Sequence, residues 1–152
     1  MALNVYDVDA LAGLSDQDLG HTAWREITQE RVNTFADATD DHQWIHVDAE
    51  RARTSPFRGT IAHGYLTVSL LVPLFLELVE VKGAKMAVNY GLNKVRFPAP
   101  VKVGARVRLL GRVVEAEEIK GGGVQILLDF TVEAEGSAKP ACVAEAVYRF
   151  YR

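Results

Sequence analysis

The chain has 152 residues, of which 49% are hydrophobic and 24% charged, and its net charge is −3. This length and composition predict a single globular domain over residues 1–152 and exclude a disordered chain. The acidic balance argues against a nucleic-acid partner, and the single cysteine, Cys142, excludes both an intrachain disulfide and a cysteine-rich zinc site.

The first 23 residues are mixed and polar, and we interpret residues 1–23 as a lead-in segment that packs on the domain. Acidic residues stand where a signal peptide needs a basic start, so we expect a cytoplasmic protein. The longest apolar run, residues 65–81, is short for a membrane span and contains Pro73, Glu77 and Glu80. We therefore expect no membrane partner.

Helical signals begin at Thr28, which has the side chain of an N-cap and precedes apolar residues at helical spacing. The pattern predicts a short amphipathic helix over residues 29–39 and a further helical turn over residues 49–54. Pro and Gly indicate a loop at residues 55–60.

Residues 64–80 are apolar on nearly every side, which predicts a core helix covered by other structure on several sides. Pro73 lies inside this segment and should kink or divide the helix, because proline has no backbone N–H.

After Gly83 the apolar period changes from helical to alternating, which predicts several long strands. A phase slip predicts a bulge near Asn93, and residues 121–123 are all glycine, which indicates a hairpin. One covered helix followed by antiparallel strands is an α+β pattern. The alternating residues expected to face the core include Val107, Leu109, Val113, Val124, Ile126, Leu128, Phe130, Val132, Cys142, Ala144, Ala146, Tyr148 and Phe150.

Asp41 and His46 are a candidate acid–base pair for chemistry near neutral pH. On one continuous helix, five residues would place them roughly 140° apart, so they converge only if the chain turns near Gln43 and Trp44. The alternative is that Asp41 ends a helix while His46 packs in the core, and the spacing leaves both open. His42 is more polar in its surroundings and is expected to face solvent, and Asp48 is expected to cap the next turn.

His63 and Gly64 stand at the start of the apolar segment. A glycine amide at a helix start can approach a ligand closely and stabilise a developing negative charge. The alternative is a helix entry that needs glycine only for close packing. Scattered basic residues are candidates for phosphate contacts but are more often simply solvated: Arg51, Arg53, Arg58, Lys94 and Arg96.

These residues together resemble the signature of the MaoC-like dehydratases, which include the R-specific enoyl-CoA hydratases. The resemblance rests on residues 38–48 (ATDDHQWIHVD), Phe57, residues 61–66 (IAHGYL) and residues 90–101 (YGLNKVRFPAPV). It extends from about residue 28 to residue 97. The Gln43–Trp44 pair, where the family usually has Asn-Pro, is similar to the NodN-like branch.

The resemblance implies a hotdog fold, in which a curled antiparallel sheet wraps around a long central helix, and a homodimer joined edge to edge. It implies that Asp41 and His46 activate a water and that the Gly64 amide binds the thioester oxygen. We expect His63, Gln43 and Tyr65 beside Gly64 in the substrate-binding and oxyanion-binding region. The implied reaction is the reversible hydration of trans-2-enoyl-CoA to (R)-3-hydroxyacyl-CoA in fatty acid metabolism. It needs no metal and no redox cofactor, and coenzyme A enters only as part of the substrate.

Two other functions remain open at this stage. Hotdog proteins also include acyl-CoA thioesterases, and the same fold can serve as a non-catalytic acyl-CoA-binding module. The presence of Asp41, His46 and Gly64 together favours hydration. The acyl chain length and the choice between coenzyme A and acyl carrier protein are not encoded in any motif that we recognise.

Overall fold

A six-stranded antiparallel sheet, curled around a helical segment, dominates the computed structural model, which describes residues 3–152. The helices are α1 (Val8–Leu11), α2 (Gln29–Thr39), α3 (Trp44–Val47), α4 (Ala49–Ala52), α5 (Gly64–Ser69) and α6 (Leu71–Leu78). The strands are β1 (Asn4–Asp7), β2 (Ser15–His21), β3 (Arg25–Glu26), β4 (Val79–Lys82), β5 (Met86–Arg96), β6 (Arg106–Ile119), β7 (Gly123–Ala134) and β8 (Cys142–Tyr151).

The sheet has the order β2-β6-β7-β8-β5, with the short β3 also paired to β6. Alternate residues are buried along β7, along most of β8 and along the first half of β6, as the period of two predicts, whereas β5 has no buried residue. The predicted hairpin joins β6 to β7 through Gly121 and Gly122, both with positive φ. The predicted bulge near Asn93 is confirmed, because the pairing of β5 with β8 shifts register between Leu92 and Lys94.

The apolar segment forms two helices rather than one. They meet at Leu70, and Pro73 lies in the first turn of α6, where a missing backbone N–H costs little. The expected division of this helix is therefore confirmed, although the helical segment ends at Leu78 instead of residue 80. Phe75 anchors it in the core against the aromatic rings of Phe130, Tyr148 and Phe150.

One face of this helical pair is open in the single chain. Tyr65 is 78% exposed and Leu76 is 56% exposed, with Pro73 exposed between them. Other structure covers the buried residues of the segment, as expected, but it leaves this face uncovered in the single chain. The sheet covers the opposite side, so it does not account for the apolar residues that the open face exposes.

The lead-in is part of the fold rather than a segment laid on its surface. β1 pairs in parallel with β4, and β2 is the strand at one edge of the large sheet. Val8, Leu11 and Leu19 are buried in the core. The polar sequence of β2 hid this role because an edge strand with one buried residue needs almost no apolar pattern.

No helix within residues 3–152 is both long enough and apolar enough to cross a membrane.

Candidate active site

A reversal of the chain between α2 and α3 brings Asp41 and His46 together. α2 begins as predicted at Gln29, with Thr28 capping it. It ends at Thr39 and is followed by Asp40, whose φ of 61° is left-handed. The chain re-enters helical geometry at Trp44, so His46 lies on a new axis. Side-chain ligand atoms of Asp41, His46 and His63 lie within 4.8 Å of one another. The predicted turn between Asp41 and His46 is confirmed.

The His46 imidazole is buried and fixed by one of its two nitrogens. Its Nδ1 lies 2.7 Å from the Ile61 carbonyl oxygen. Because a carbonyl only accepts, Nδ1 carries the hydrogen, and Nε2 of the neutral ring is an acceptor. Burial lowers the pKa of His46, and the hydrogen bond to Ile61 and the nearby Asp41 oppose that shift only in part. His46 is therefore a neutral base at pH 7.

His63 contacts both Asp41 and His46 but does not line the pocket described below. Its ring is stacked on His46, with centroids 3.8 Å apart, and its Nε2 donates to the Asp41 backbone carbonyl at 2.9 Å. The ring also contacts Phe35. Its Nδ1 is buried and has no hydrogen-bond partner among residues 3–152. The side chain thus connects the Asp41 turn to His46.

Gln29 supports the same arrangement from the start of α2. Its side-chain amide donates to the His46 carbonyl at 2.8 Å, and its side-chain oxygen accepts from the Thr60 hydroxyl at 2.6 Å. It therefore holds the His46 turn and the loop before Ile61 in fixed relation. No sequence motif marks this role, since Gln29 is simply the first residue of a helix.

Asp41 is exposed in the single chain, unlike the two histidines. One of its carboxylate oxygens lies 3.4 Å from the Gln43 backbone N–H, which is too long for a strong hydrogen bond. The carboxylate therefore keeps its acceptor capacity for a ligand. The ligand atoms of Asp41 and His46 lie within 4.8 Å of each other, a separation that one water with hydrogen bonds of about 2.8 Å can bridge.

Gly64 begins α5 beside these groups, and no side chain caps the helix. A helix start of this kind leaves backbone N–H groups without partners in the helix. The Phe97 ring, just beyond β5, approaches Gly64 so closely that an added Cβ would lie 3.1 Å from it. Both residues line a pocket of about 300 Å³. The pocket is lined by His46, Phe57, Ile61, Ala62, Gly64, Thr67, Phe97, Ala99, Pro100, Val101 and Ala141.

The structure brings only some of the predicted site residues into this pocket. His46 and Gly64 line it, and Asp41 lies within reach of His46. The Gln43 side chain is exposed, and so is Tyr65, although both are adjacent in sequence to site residues. Neither is among the residues that line the pocket.

Two neighbouring expectations agree with the structure. His42 is exposed and pairs with Asp37 at 2.8 Å, away from the core. Asp48 caps α4 by accepting from the Arg51 N–H at 3.0 Å. Sequence reasoning missed Thr67 and Phe97 in the pocket. Helical spacing from Gly64 points to Thr67, whereas nothing local points to Phe97.

Asp41, His46 and His63 are also the group within residues 3–152 whose donors suit a metal ion. Two histidines with one carboxylate are a common zinc donor set. However, the two rings are nearly parallel, with 23° between their planes, and their lone pairs lie in those planes. Coordination requires lone pairs that converge on one point, so this geometry suits a shared water better than an ion.

Comparison with known proteins finds relatives along most of the chain. The sequence matches the family described as MaoC like domain over residues 11–134. It is 56% identical over 147 residues to 3-hydroxyacyl-thioester dehydratase Z of Mycobacterium tuberculosis, covering 97% of this chain and 95% of that protein. It is 44% identical over 146 residues to Nodulation protein N of Rhizobium leguminosarum bv. viciae, covering 93% and 88%.

Solved structures with the same architecture include two hydratases. The (R)-hydratase from A. caviae involved in PHA biosynthesis has a TM-score of 0.73 and 26% identity, covering 89% of this chain and 95% of that one. The unliganded R-hydratase PhaJ1 from Pseudomonas aeruginosa has a TM-score of 0.71 and 23% identity, covering 91% and 83%. These likenesses confirm the expected hotdog fold.

Proposed function

Because this chain belongs to the MaoC-like dehydratase family and is a hydro-lyase, we propose that it hydrates trans-2-enoyl-CoA reversibly to (R)-3-hydroxyacyl-CoA. The observation that carries the proposal is the pairing of Asp41 with a buried, neutral His46 beside the Gly64 amide. The relative named 3-hydroxyacyl-thioester dehydratase Z supports a thioester substrate, and the solved R-hydratases support the R product.

Asp41 and His46 hold the attacking water between two acceptors. The water donates one hydrogen to the Asp41 carboxylate and the other to His46 Nε2, which directs an oxygen lone pair at Cβ of the substrate. His46 Nε2 takes a proton as the new C–O bond forms, while Asp41 stays ionised and stabilises the imidazolium. The dyad then returns the proton to Cα, so that one water is added across the double bond.

The Gly64 N–H stabilises the charge that appears on the thioester oxygen. As the C–O bond forms at Cβ, the electrons of the double bond move through Cα onto that oxygen. An N–H at the start of α5 points at this charge with the favourable end of the helix dipole. Removal of one such donor typically costs about 10²–10³ in kcat.

His63 acts as a positioning residue in this scheme. Its hydrogen bond to the Asp41 carbonyl fixes the turn that carries the carboxylate, and its stacked ring fixes the plane of His46. Both members of the dyad are thus oriented by one buried side chain before substrate binds.

The reaction moves a proton and a hydroxyl group and transfers no electrons between molecules. We therefore propose that it proceeds without a metal or a redox cofactor. Coenzyme A then takes part only as the thiol portion of the substrate thioester, which we call the handle. Dialysis against a chelator should leave the rate unchanged. A loss of activity that added zinc restores would contradict this part of the proposal.

The assay follows the absorbance of the enoyl thioester with crotonyl-CoA and longer homologues, and the product is then analysed on a chiral column. We expect rapid loss of absorbance and the R isomer. A thiol reagent added to the same reaction distinguishes a thioesterase, which would release free coenzyme A. Cys142 does not interfere, because it is fully buried and its pKa is raised to about 11.

We also propose that the protein is a homodimer. β5 forms the second edge of the large sheet, and it exposes Met86, Tyr90 and Leu92. A groove of about 210 Å³ between α6 and β5 continues this apolar surface to Leu76. A second copy of the chain, joined at β5, would cover both the strand edge and the open helical face.

A further inference from the structure

A second groove lies next to the active-site pocket and carries most of its charge on three basic residues. We call it the basic groove, defined by Arg53, Arg58 and Lys102, and its volume is about 500 Å³. Glu50 is the single carboxylate among its lining residues. In a chain with a net charge of −3, this is a local excess of positive charge.

The three cations are largely free to bind an anion. Arg58 and Lys102 take part in no ion pair within residues 3–152, and Arg53 reaches Glu50 only at 3.7 Å across one helical turn. An exposed pair of that length contributes little. By contrast, arginines on the outer face of the sheet are matched across strands at short distances, for example Arg108 to Glu133 at 2.6 Å.

The basic groove and the active-site pocket share one wall. Phe57 lines both, and the chain then runs from Arg58 to Thr60 along the groove before it turns into the pocket at Ile61. The backbone of this wall is fixed from both sides. Val103 donates to the Thr60 carbonyl at 3.0 Å, and Ala62 donates to the Val101 carbonyl at 2.8 Å.

Arg58 is held in an unusual backbone conformation within that wall. Its φ is 59°, in the left-handed region that non-glycine residues seldom adopt. Its N–H donates to the Ser55 carbonyl at 3.0 Å, which closes the turn. Such a conformation persists when the surrounding contacts determine it, and here it presents a guanidinium group at the groove.

We propose that the basic groove binds the nucleotide phosphates of coenzyme A while the acyl thioester occupies the pocket beside His46 and Gly64. This inference rests on the proposed function. The handle of an acyl-CoA carries a diphosphate and a 3′-phosphate, and arginine binds such groups with two parallel hydrogen bonds. A concave groove with an aromatic residue in its wall fits a nucleotide better than the convex surface of a carrier protein.

A series of crotonyl thioesters that differ only in the handle tests this assignment. Crotonyl-pantetheine has no phosphate, crotonyl-4′-phosphopantetheine has one, and crotonyl-CoA adds the nucleotide with its further phosphates. We expect the largest rise in kcat/KM at the last step, through KM rather than kcat. Added salt should reduce the advantage of crotonyl-CoA but not the rate with crotonyl-pantetheine.

Substitutions in the basic groove then test whether its residues cause the preference for crotonyl-CoA. Lys102→Gln and Arg53→Gln should each lower kcat/KM for crotonyl-CoA on the order of ten-fold more than for crotonyl-pantetheine. The matched control is Lys120→Gln, which removes one positive charge from the exposed turn between β6 and β7. It should leave the ratio between the two substrates unchanged.

Calorimetry with coenzyme A alone measures binding at the basic groove without any reaction. The proposal that the groove binds the nucleotide and the proposal that the protein hydrates enoyl-CoA can therefore fail separately. Coenzyme A should bind wild-type protein and bind Lys102→Gln more weakly, even if no thioester is hydrated. Equal kcat/KM for all three handles would overturn the inference while hydration stands. Equal values for the phosphopantetheine and coenzyme A thioesters would also overturn it, because the groove would then recognise no part of the nucleotide.

Discussion

The hydrogen bond from His46 Nδ1 to the Ile61 carbonyl determines which ring nitrogen is available to water. It leaves Nε2 as the acceptor in the neutral ring of a residue that lies in one cluster with Asp41. Two acceptors and no donor are what a water needs if it is to be held by both of its hydrogens.

Asp41→Asn and His46→Gln should each lower kcat by about 10²–10⁴-fold while the fold is kept. If both groups act on one water, as proposed, the double variant should be little worse than either single variant. The measurement is steady-state hydration of crotonyl-CoA with a circular dichroism spectrum of each preparation. His42→Ala is the control and should be mild, since His42 is exposed. Near-full activity in folded His46→Gln would contradict the assignment.

The pH profile should show the lowered pKa of His46. Burial favours the neutral ring and lowers the pKa of His46 below its ordinary value of 6.5. The proposed base should therefore still be unprotonated at pH 6.5, and kcat/KM should fall only at a lower pH. The stability that depends on neutral His46 should likewise be lost as the pH falls below 6.5. His42 gives the contrast, because its hydrogen bond with Asp37 raises its pKa. An acidic limb above 6.5 would therefore count against His46.

His63→Phe should separate positioning from bulk packing. Phenylalanine keeps a ring against His46 but cannot donate to the Asp41 carbonyl, so kcat should fall by roughly ten-fold or more with KM little changed. The lost hydrogen bond should cost about 1 kcal/mol of unfolding free energy. Thermal melts and kinetics on one preparation check both values. A variant with normal kcat would show that His63 does not orient the dyad.

The start of α5 lies against the segment that follows β5, and this contact narrows the active-site pocket. An added Cβ at Gly64 would meet three atoms of the Phe97 ring at 3.1 to 3.3 Å. Phe97 is 47% exposed, so its ring can move outward without unfolding the core. A side chain at Gly64 therefore acts on the pocket more than on the fold.

Gly64→Val should cost about 3 kcal/mol in transition-state stabilisation, by displacing the substrate from the Gly64 amide, and much less in unfolding free energy. If Phe97 alone causes the crowding, Phe97→Ala in the same chain should restore the rate. If the valine itself blocks the thioester, the double variant stays slow. A large drop in melting temperature with normal turnover per folded molecule would show that Gly64 serves packing only.

The single chain leaves apolar surface on the helices and on β5 that a second copy would cover. Light scattering at micromolar concentration should give twice the monomer mass of 16.7 kDa. Leu76→Arg places a charge on the open face of α6 and should shift the mass toward the monomer. Val5→Arg is the matched control, since Val5 is also an exposed apolar residue, at 48%, but belongs to β1 rather than to α6 or β5. A monomer mass for the wild type would contradict the dimer.

The sequence by itself determined the parts of the molecule that depend on neighbouring residues. The cap at Thr28, the span of α2, the bulge in β5 and the alternation along β7 all follow local patterns, because helix and strand periods repeat every few residues. The motif resemblance also predicted Asp41, His46 and Gly64 as site residues, since the chemistry that it implies requires those residue types.

Only the tertiary structure decided how these residues meet. The partner of His46 Nδ1 is the carbonyl of Ile61, fifteen residues away, and every residue type has a carbonyl. Phe97 reaches Gly64 across 33 positions, and the polar β2 joins the sheet by its backbone alone. Such contacts depend on how distant elements pack, and a backbone acceptor or an edge strand leaves no mark in the local sequence.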